Sequence, residues 1–274
     1  MTIIIPPKRK FTAPPFVRTI DDPRDPLNLG LVGHWTMDAE TINSSRVLDL
    51  SGRDNSGTLV NAPPIVAGRV GQAIKVNGTD QYITIPDSPS LSFPLSAPFT
   101  LTAWVYPTGS PGSNTETIIC KQSGSNFNYI MYRNHGAGDM LGFWSGSNYF
   151  GSGFSIPLNM WTHVAFITDG FYSSFTANGV LTSSSVILFY AGPANSGPVT
   201  MGASNPPADF FQGYIDDVRV YNRNLAHAEI WRLYNNPARD RVPYQTRARI
   251  ATVAGAPSSI ISRRTLRQRT GSRA

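Results

Sequence analysis

The chain has 274 residues with a net charge of +6, and it contains 24 Gly, 22 Pro and a single Cys. This length accommodates one large β domain or two small ones, and a lone Cys excludes an internal disulfide. No stretch approaches the roughly 18 consecutive apolar residues of a membrane-spanning helix. The apolar run at the N-terminus is short and precedes the basic residues, so we expect no secretory signal there.

The positive charge is concentrated at the two ends of the chain. Residues 1–30 carry five Lys or Arg against three Asp, and residues 237–274 carry nine Arg against one Asp. The segment between them has nine basic and thirteen acidic residues, a net −4. Repeated Pro in residues 1–30 favours extended backbone. We therefore predict a Pro-rich N-terminal arm (1–30), a globular domain (31–236) and an Arg-rich C-terminal arm (237–274).

The first half of the predicted domain contains short strand patterns separated by turns. A strand is expected at residues 31–37, and residues 73–77 and 82–86 are expected to form a hairpin about Asn77-Gly78, a strong turn dipeptide. Residues 99–106 alternate cleanly between two sets of side chains, which predicts a strand with one face in the core. The four side chains expected on its buried face are Phe99, Leu101, Ala103 and Val105.

The second half continues in the same way and ends with a helical pattern. Strands are expected at residues 161–167 and 171–180, the latter turning at Asn178-Gly179. A further strand at 213–221 is followed by helical spacing from Leu225 to Tyr234. Many short strands at regular spacing indicate an antiparallel sandwich rather than βαβ units.

Seven motifs follow one another in a characteristic order, at residues 31–38, 48–59, 68–78, 99–104, 161–164, 177–179 and 213–221. This order resembles the laminin-G-like, concanavalin-A-like family over about residues 31–236. The resemblance implies an all-β fold: a two-sheet antiparallel jelly-roll sandwich with one short C-terminal helix, here flanked by extended arms. Ala226 stands where that family has a Ser or Thr helix cap, so half of the capping box with Glu229 is missing.

The carboxylates do not fit a glycosidase. The three glutamates, Glu40, Glu116 and Glu229, are far apart, and adjacent residues of a strand such as Asp216 and Asp217 point to opposite faces. A nucleophile elbow and a zinc-ligand spacing are both missing from the sequence. We therefore predict a protein that is not an enzyme.

Three single residues with reactive side chains are interpreted as structural. His34 and His163 lie inside strand patterns beside Trp residues, which favours packed, hydrogen-bonded side chains over catalytic bases. Cys120 lies in an apolar run, which favours a buried inert thiol.

The one cofactor prediction is calcium. Members of the resembled family often hold one calcium ion between the first strand, the Asn-Gly turn and the last Asp-bearing strand, and hard oxygen ligands suit that ion. The alternative is an ion pair between one of the strand aspartates and Arg219 or Arg69, with the other aspartate solvated. The positions that match the calcium ligands of the family are Asp38, Asn77, Gly78, Asp216 and Asp217.

An aromatic segment between residues 126 and 150 supplies candidates for a glycan or protein interface. Aromatic rings combined with polar side chains suit a sugar site, although the alternation of a sandwich requires about half of such rings in the core. The candidate residues are Phe127, Tyr129, Tyr132, Trp144 and Tyr149.

The basic arms suggest partner binding. Arginines neutralise phosphates, but Tyr244 is the one aromatic residue of the C-terminal arm, so a base-stacking platform is missing there. An acidic protein surface accounts for the arginines equally well, and a solvated tail is the third reading. The residues predicted to contact partners are Lys8, Arg9, Lys10, Arg263, Arg264, Arg267 and Arg269.

The leading functional hypothesis is a virion structural protein of a phage or virus, capsid-associated or a decoration protein. It would be a homo-oligomer assembled in the host cytoplasm that contacts capsid or other virion proteins, with arms that clasp neighbouring subunits and with the sandwich exposed for adhesion. The alternative is a stand-alone carbohydrate-binding, lectin-like module, extracellular by a route other than Sec. The third hypothesis is a nucleic-acid-associated protein that binds through the basic tail.

Overall fold

The computed structural model describes residues 19–21, 25–109, 115–134, 138–146, 148–185, 191–236 and 241–243. These residues form strands joined by turns, three short 3-10 helices (Pro26–Asn28, Ala39–Thr41 and Pro89–Leu91) and one α-helix. The strands of the first half are β1 (Thr19–Asp21), β2 (Leu31–Trp35), β3 (Ile42–Asn43), β4 (Arg46–Val47), β5 (Gly57–Val60), β6 (Ile65–Ala67), β7 (Gln72–Asn77), β8 (Tyr82–Ile85) and β9 (Phe99–Pro107).

The second half begins with three long strands and ends with the helix. Its elements are β10 (Thr115–Ser123), β11 (Asn126–Asn134), β12 (Met140–Ser145), β13 (Asn148–Ser155), β14 (Thr162–Thr168), β15 (Ser173–Ala177), β16 (Val180–Ser185), β17 (Val199–Met201), β18 (Gln212–Tyr221), α1 (His227–Asn235) and β19 (Arg241–Pro243).

Two antiparallel sheets form a sandwich, as the sequence predicted. The larger sheet has nine strands in the order β13-β12-β11-β10-β17-β8-β5-β4-β3. The smaller sheet has eight: seven in the order β16-β15-β14-β9-β18-β7-β6, and β2, which pairs with β18. Strands β1 and β19 pair separately, so the backbones of the two predicted arms meet at residues 19–21 and 241–243.

The hydrophobic core lies between the inner faces of the two sheets. The predicted alternation in β9 is confirmed, because Phe99, Leu101, Ala103 and Val105 are all buried in this core. The rings of Phe143 from the larger sheet and Phe166 from the smaller sheet stack with centroids 3.6 Å apart. Burial of such side chains is the main favourable contribution to stability in a fold with one short helix.

The hairpin predicted about Asn77-Gly78 is wrong. β7 pairs with β6 and β18 in the smaller sheet, whereas β8 pairs with β5 and β17 in the larger sheet. Asn77 does form a turn, since its side-chain oxygen accepts the backbone N–H of Thr79 at 3.0 Å. The dipeptide sets a local turn, but the chain leaving it crosses to the other sheet because both strands must place apolar side chains in the shared core.

The helix packs on the outer face of the smaller sheet. Ile230 and Leu233 contact a small second core that includes Leu27 and Tyr221. Leu27 belongs to the segment predicted as an arm, so the packed chain extends at least to residue 25, where Asp25 pairs with Arg232. Within the described chain, no helix is long and apolar enough to span a membrane.

The start of α1 has the half of the capping box that the sequence predicted. Glu229 Oε2 accepts the Ala226 backbone N–H at 2.9 Å, and an alanine side chain has no oxygen for the reciprocal bond. Desolvation would raise the pKa of Glu229, but hydrogen bonds from Arg223 and Ala226 outweigh that effect and lower the pKa.

Candidate functional site

One row of side chains crosses the outer face of the larger sheet from β4 to the edge strand β13. Strand pairing places these residues directly opposite one another on eight successive strands, and the row changes from threonines to apolar and aromatic side chains across β10. Trp144 and Tyr149 are the exposed aromatic members of this row. In order, the row is Arg46, Thr58, Thr84, Thr200, Cys120, Ile130, Trp144 and Tyr149.

Two glycines make room for tyrosine rings beside this row. Gly142 is paired with both Tyr132 and Gly151. A Cβ atom at Gly142 would lie 2.8 Å from Cζ of Tyr132, and one at Gly151 would lie 2.8 Å from the hydroxyl oxygen of Tyr149. The missing side chains therefore allow the rings to lie across neighbouring strands, where their centroids are 6.1 Å apart.

Phe127, Tyr132 and Trp144 form one side of a groove with a volume of about 290 Å³. The other side consists of polar residues of β10 and of the loop that joins β17 to β18. We call this depression the groove. Its lining residues are Thr115, Thr117, Gln122, Phe127, Ile130, Tyr132, Trp144, Ser204, Pro206, Ala208 and Asp209.

The loop wall of the groove is held in place by hydrogen bonds to β10. The side-chain amide of Asn205 donates to the Gln122 carbonyl at 2.7 Å. The Thr117 backbone N–H donates to the Asp209 carbonyl at 2.8 Å, and Thr115 Oγ1 donates to Asp209 Oδ1 at 2.8 Å. Because both ends of the loop are bonded to the same strand, the groove is formed before any ligand arrives.

Trp144 is the exposed ring of the groove. Its side chain is 36 % exposed, its Nε1–H donates to the Gly146 carbonyl at 3.1 Å, and its ring lies 5.5 Å from that of Phe127. Both contacts fix the orientation of the indole. Burial raises the pKa of Tyr132 further above neutrality, and its protonated hydroxyl is able to donate a hydrogen bond.

The structure brings four of the five predicted aromatic residues together and places the fifth elsewhere. Phe127, Tyr132, Trp144 and Tyr149 lie on the outer face of the larger sheet. Tyr129 lies in the core between the sheets, fully buried, with its hydroxyl donating to the Leu91 carbonyl at 3.2 Å. Tyr129 as a contact for glycan or protein is therefore a wrong prediction.

The cause is an irregularity in strand register. Lys121 is opposite Tyr129, but the next residue, Gln122, is opposite Phe127, so β11 has one extra residue, Asn128, at this point. Such a bulge reverses the alternation of side chains. The Asn128 side chain occupies this position by donating to the carbonyls of Phe93 and Gly192.

The groove also contains residues that sequence reasoning missed. Thr115, Thr117 and Gln122 belong to a strand whose outward face was not recognised, and Pro206 and Asp209 belong to the long connection between β17 and β18. The available signal was the Asn-Pro-Pro segment at 205–207, which is typical of an ordered surface loop.

The predicted calcium ligands are not gathered at one point. Asp38 Oδ1 accepts the backbone N–H of Gln72 at the start of β7, whereas Asn77 ends that strand, about 17 Å farther along at 3.4 Å per residue. Asp216 Oδ2 accepts the Val70 N–H at 2.8 Å, in the same turn as the Asp38 contact. Asn77 and Gly78 are thus separated from the aspartates, and calcium stays a prediction restricted to the turn at 68–72.

The two strand aspartates do not point to opposite faces as expected. A bulge between Asp216 and Arg219, with Asp217 at a φ of 46°, turns both carboxylates to the outer side of the smaller sheet. Asp217 accepts from His34 Nε2 at 2.7 Å and pairs with Arg219 at 3.2 Å. The ion-pair alternative is therefore correct for Asp217, whereas Asp216 is fully buried rather than solvated.

The other reactive side chains are buried, as predicted, but one histidine lacks the expected hydrogen bond. His34 is fully buried and bonded to Asp217, whereas His163 packs against Trp104 and its Nδ1 has no hydrogen-bond partner among the described residues. Burial raises the pKa of Cys120 to about 12, which keeps the thiol protonated and unreactive. Within the described residues, no group of three or more His, Cys, Asp or Glu side chains is arranged to hold a metal ion.

The basic residues assigned to partner binding lie outside the described residues. These are Lys8, Arg9, Lys10, Arg263, Arg264, Arg267 and Arg269.

Comparison with solved structures identifies the same two-sheet architecture in carbohydrate-related and toxin proteins. Domain 4 of AbnA, a GH43 extracellular arabinanase from Geobacillus stearothermophilus in complex with arabinotriose, is 22% identical with a TM-score of 0.60, covering 75% of this chain and 98% of that domain. The binding domain of Paraclostridial Mosquitocidal Protein 1 is 18% identical with a TM-score of 0.62, over 78% of this chain. The receptor binding domain of botulinum neurotoxin C/D mosaic serotype is 14% identical with a TM-score of 0.58, over 76% of this chain.

The matched region spans 53% and 51% of the two toxin binding domains, so the likeness there concerns a part of each. At these sequence identities, the similarity establishes that this chain and the three solved structures share a fold. A comparison with curated protein sequences found no match. A family model, described as the concanavalin A-like lectin/glucanases superfamily, matches residues 77–231, more than half of the chain, and so the chain belongs to that superfamily.

Proposed function

We propose that the domain binds carbohydrate in the groove on the outer face of the larger sheet and does not catalyse a reaction on it. The observation that carries this proposal is the position of Trp144. Its exposed, oriented ring lies on one side of the groove, with hydroxyl, amide and carboxylate groups on the other. Sugars have apolar C–H faces and polar edges, and a preformed site with a ring and convergent polar groups matches both.

Two further points support the same reading. Domain 4 of the arabinanase, which shares this fold, was solved in complex with arabinotriose. Among the residues that line the groove, Asp209 is the one carboxylate, whereas hydrolysis of a glycosidic bond ordinarily uses a pair of them. A binding module therefore suits this lining better than a hydrolase.

The test is binding of the full chain to soluble polysaccharides, including linear arabinan, measured by titration calorimetry. Trp144→Ala should weaken binding at least about tenfold, because the ring supplies most of the apolar contact. Trp231→Ala is the matched control, since this Trp is also exposed but lies on α1. Equal loss in both variants, or no loss in either, would show that the groove is not the binding site.

The virion and nucleic-acid hypotheses depend on the arms. The basic residues on which they rest are outside the described part of the chain, and both hypotheses stay predictions together with the clasp, the homo-oligomer and the localisation. Loss of particle attachment after deletion of 1–24 and 244–274 would support the first. A steep fall of nucleic-acid affinity with salt would support the second.

A further inference from the structure

The described lining of the groove contains one negatively charged side chain, Asp209, and no positively charged one. We propose that the groove therefore selects uncharged glycans and rejects acidic ones, and that Asp209 sets this preference. The inference rests on the proposed function and adds the class of ligand to it. Its basis is the position of one carboxylate in a lining that contains no Lys, Arg or His among the described residues.

Asp209 is positioned by its surroundings rather than free to move away. Thr115 Oγ1 donates to Oδ1 at 2.8 Å, and the Asp209 carbonyl accepts the Thr117 N–H at 2.8 Å. The residue is half-buried and has a φ of 45°, a conformation that Asp tolerates better than most residues. A ligand in the groove therefore meets this carboxylate at a fixed place.

The cations on the neighbouring strands do not compensate this charge. Arg133, beside Tyr132, is fully buried and pairs with Glu116 at 2.7 Å and Asp139 at 2.9 Å. Lys121, beside Gln122, is also buried, and its Nζ donates to Asp87 at 2.6 Å and to the Gly197 carbonyl at 2.7 Å. Both of these positive charges are therefore already paired with carboxylates of the domain.

These facts have opposite consequences for the two classes of sugar. A hydroxyl group donates a hydrogen bond to a carboxylate, which is an acceptor without protons. A uronic or sulfated sugar would instead bring a second negative charge close to Asp209, and it would lose hydration without gaining a cation. The groove thus suits a neutral glycan.

The experiment compares uncharged polymers with carboxylated forms of the same backbone. The first pair is hydroxyethyl cellulose, which is uncharged, and carboxymethyl cellulose, which is acidic. The second pair is polygalacturonan in its fully methyl-esterified form and in its de-esterified, acidic form. Linear arabinan serves as a further neutral polymer. Wild type, Asp209→Asn and Trp144→Ala are titrated as full chains. Because residues 237–274 carry nine Arg, acidic polymers will also bind through the arm, so groove binding is defined as the part that Trp144→Ala abolishes.

For at least one pair, we expect the groove of wild type to bind the uncharged polymer with an affinity about fivefold or more above that for the acidic polymer. The selectivity ratio is this ratio of the two affinities. Asp209→Asn should bring this ratio close to one, since the amide oxygen keeps the Thr115 bond but lacks the charge. High salt should also bring the selectivity ratio closer to one, because it screens the repulsion between Asp209 and the carboxylates of the polymer. Binding through the arm would instead weaken with salt.

The outcomes separate the two proposals. Groove binding that is equal or stronger for carboxylated polymers, or a ratio unchanged in Asp209→Asn, overturns the selectivity and leaves carbohydrate binding intact. If no polymer shows binding that depends on Trp144, carbohydrate binding in the groove is itself overturned, and the selectivity with it. Far-UV circular dichroism and the unfolding midpoint establish that each variant is folded.

Discussion

Gly142 lies directly opposite Tyr132 in the larger sheet, and a Cβ atom at this glycine would be 2.8 Å from Cζ of the tyrosine. The ring of Tyr132, a lining residue of the groove, thus occupies the space that any other residue at position 142 would need. The first prediction concerns this pair.

Gly142→Ala should displace the Tyr132 ring, destabilise the domain by about 1–3 kcal/mol through overpacking, and weaken glycan binding. Urea unfolding and titration calorimetry measure the two effects. Adding Tyr132→Val to the alanine variant should recover much of the lost stability, because the clash disappears. If the losses of unfolding free energy in the two single variants simply add in the double variant, a clash between residue 142 and the Tyr132 ring is excluded.

The buried ion pair between Arg133 and Glu116 gives a second prediction. Both side chains are fully buried and their atoms are 2.7 Å apart. Glu116→Gln would leave the arginine with less compensating charge, and we expect a loss of about 3 kcal/mol in unfolding free energy. Asp54→Asn is the control, since the Arg46–Asp54 pair is exposed and should change stability by less than about 0.5 kcal/mol. Similar losses in the two variants would refute this distinction.

The third prediction is a pH dependence caused by His163. Burial lowers the pKa of this residue from 6.5 to about 4, so the folded state binds the proton more weakly than the unfolded state. Its contribution to stability is therefore complete above pH 6.5 and is lost as the pH falls towards 4. A lowering of this size corresponds to about 3 kcal/mol.

The measurement is the unfolding free energy as a function of pH for wild type and His163→Phe. The variant should lose less stability than wild type between pH 6.5 and 4, and carboxylates titrating in that range cancel in the comparison. His227→Gln is the control because this histidine is exposed at the start of α1. Parallel curves for wild type and His163→Phe would exclude the effect.

The fourth prediction tests calcium at the turn of residues 68–72. If the ion binds beside Asp38 and Asp216, millimolar calcium should raise the unfolding temperature of wild type, because a ligand that binds only the folded state stabilises it. Asp216→Asn should abolish this rise, while Asp80→Asn, at the distant Asn77 turn, should preserve it. An unfolding temperature that does not respond to calcium or to a chelator would exclude the site.

The alternation of side chains predicted the sandwich where strands are regular and failed where they are not. In β9 the period of two holds without interruption, and all four predicted core residues are buried. Asn178-Gly179 likewise joins β15 and β16 as a two-residue hairpin. Phe127 and Tyr129 show the limit, because the extra residue between them places them on opposite faces although they are two apart.

Only the aromatic side of the candidate site was predictable from the sequence, because strand period reports on neighbouring residues of one strand. An exposed Trp144 and its aromatic neighbours follow from composition and strand period. The opposite wall does not, because Asp209 and Thr115 are 94 residues apart in sequence and meet only through the folded sheet. A turn dipeptide such as Asn77-Gly78 also reports on local backbone alone and not on which sheet receives the next strand.

The loop from Gly202 to Phe211 carries a mechanical consequence. It leaves the larger sheet at β17 and enters the smaller sheet at β18, and the bond from the Phe211 N–H to the Gly202 carbonyl (3.0 Å) closes its base. A ligand held between this loop and Trp144 would connect β12 to a loop that is bonded to β10, so it would hold strands of the larger sheet together across the groove. Occupancy of the groove should therefore raise the force needed to separate β11 and β12 from β10.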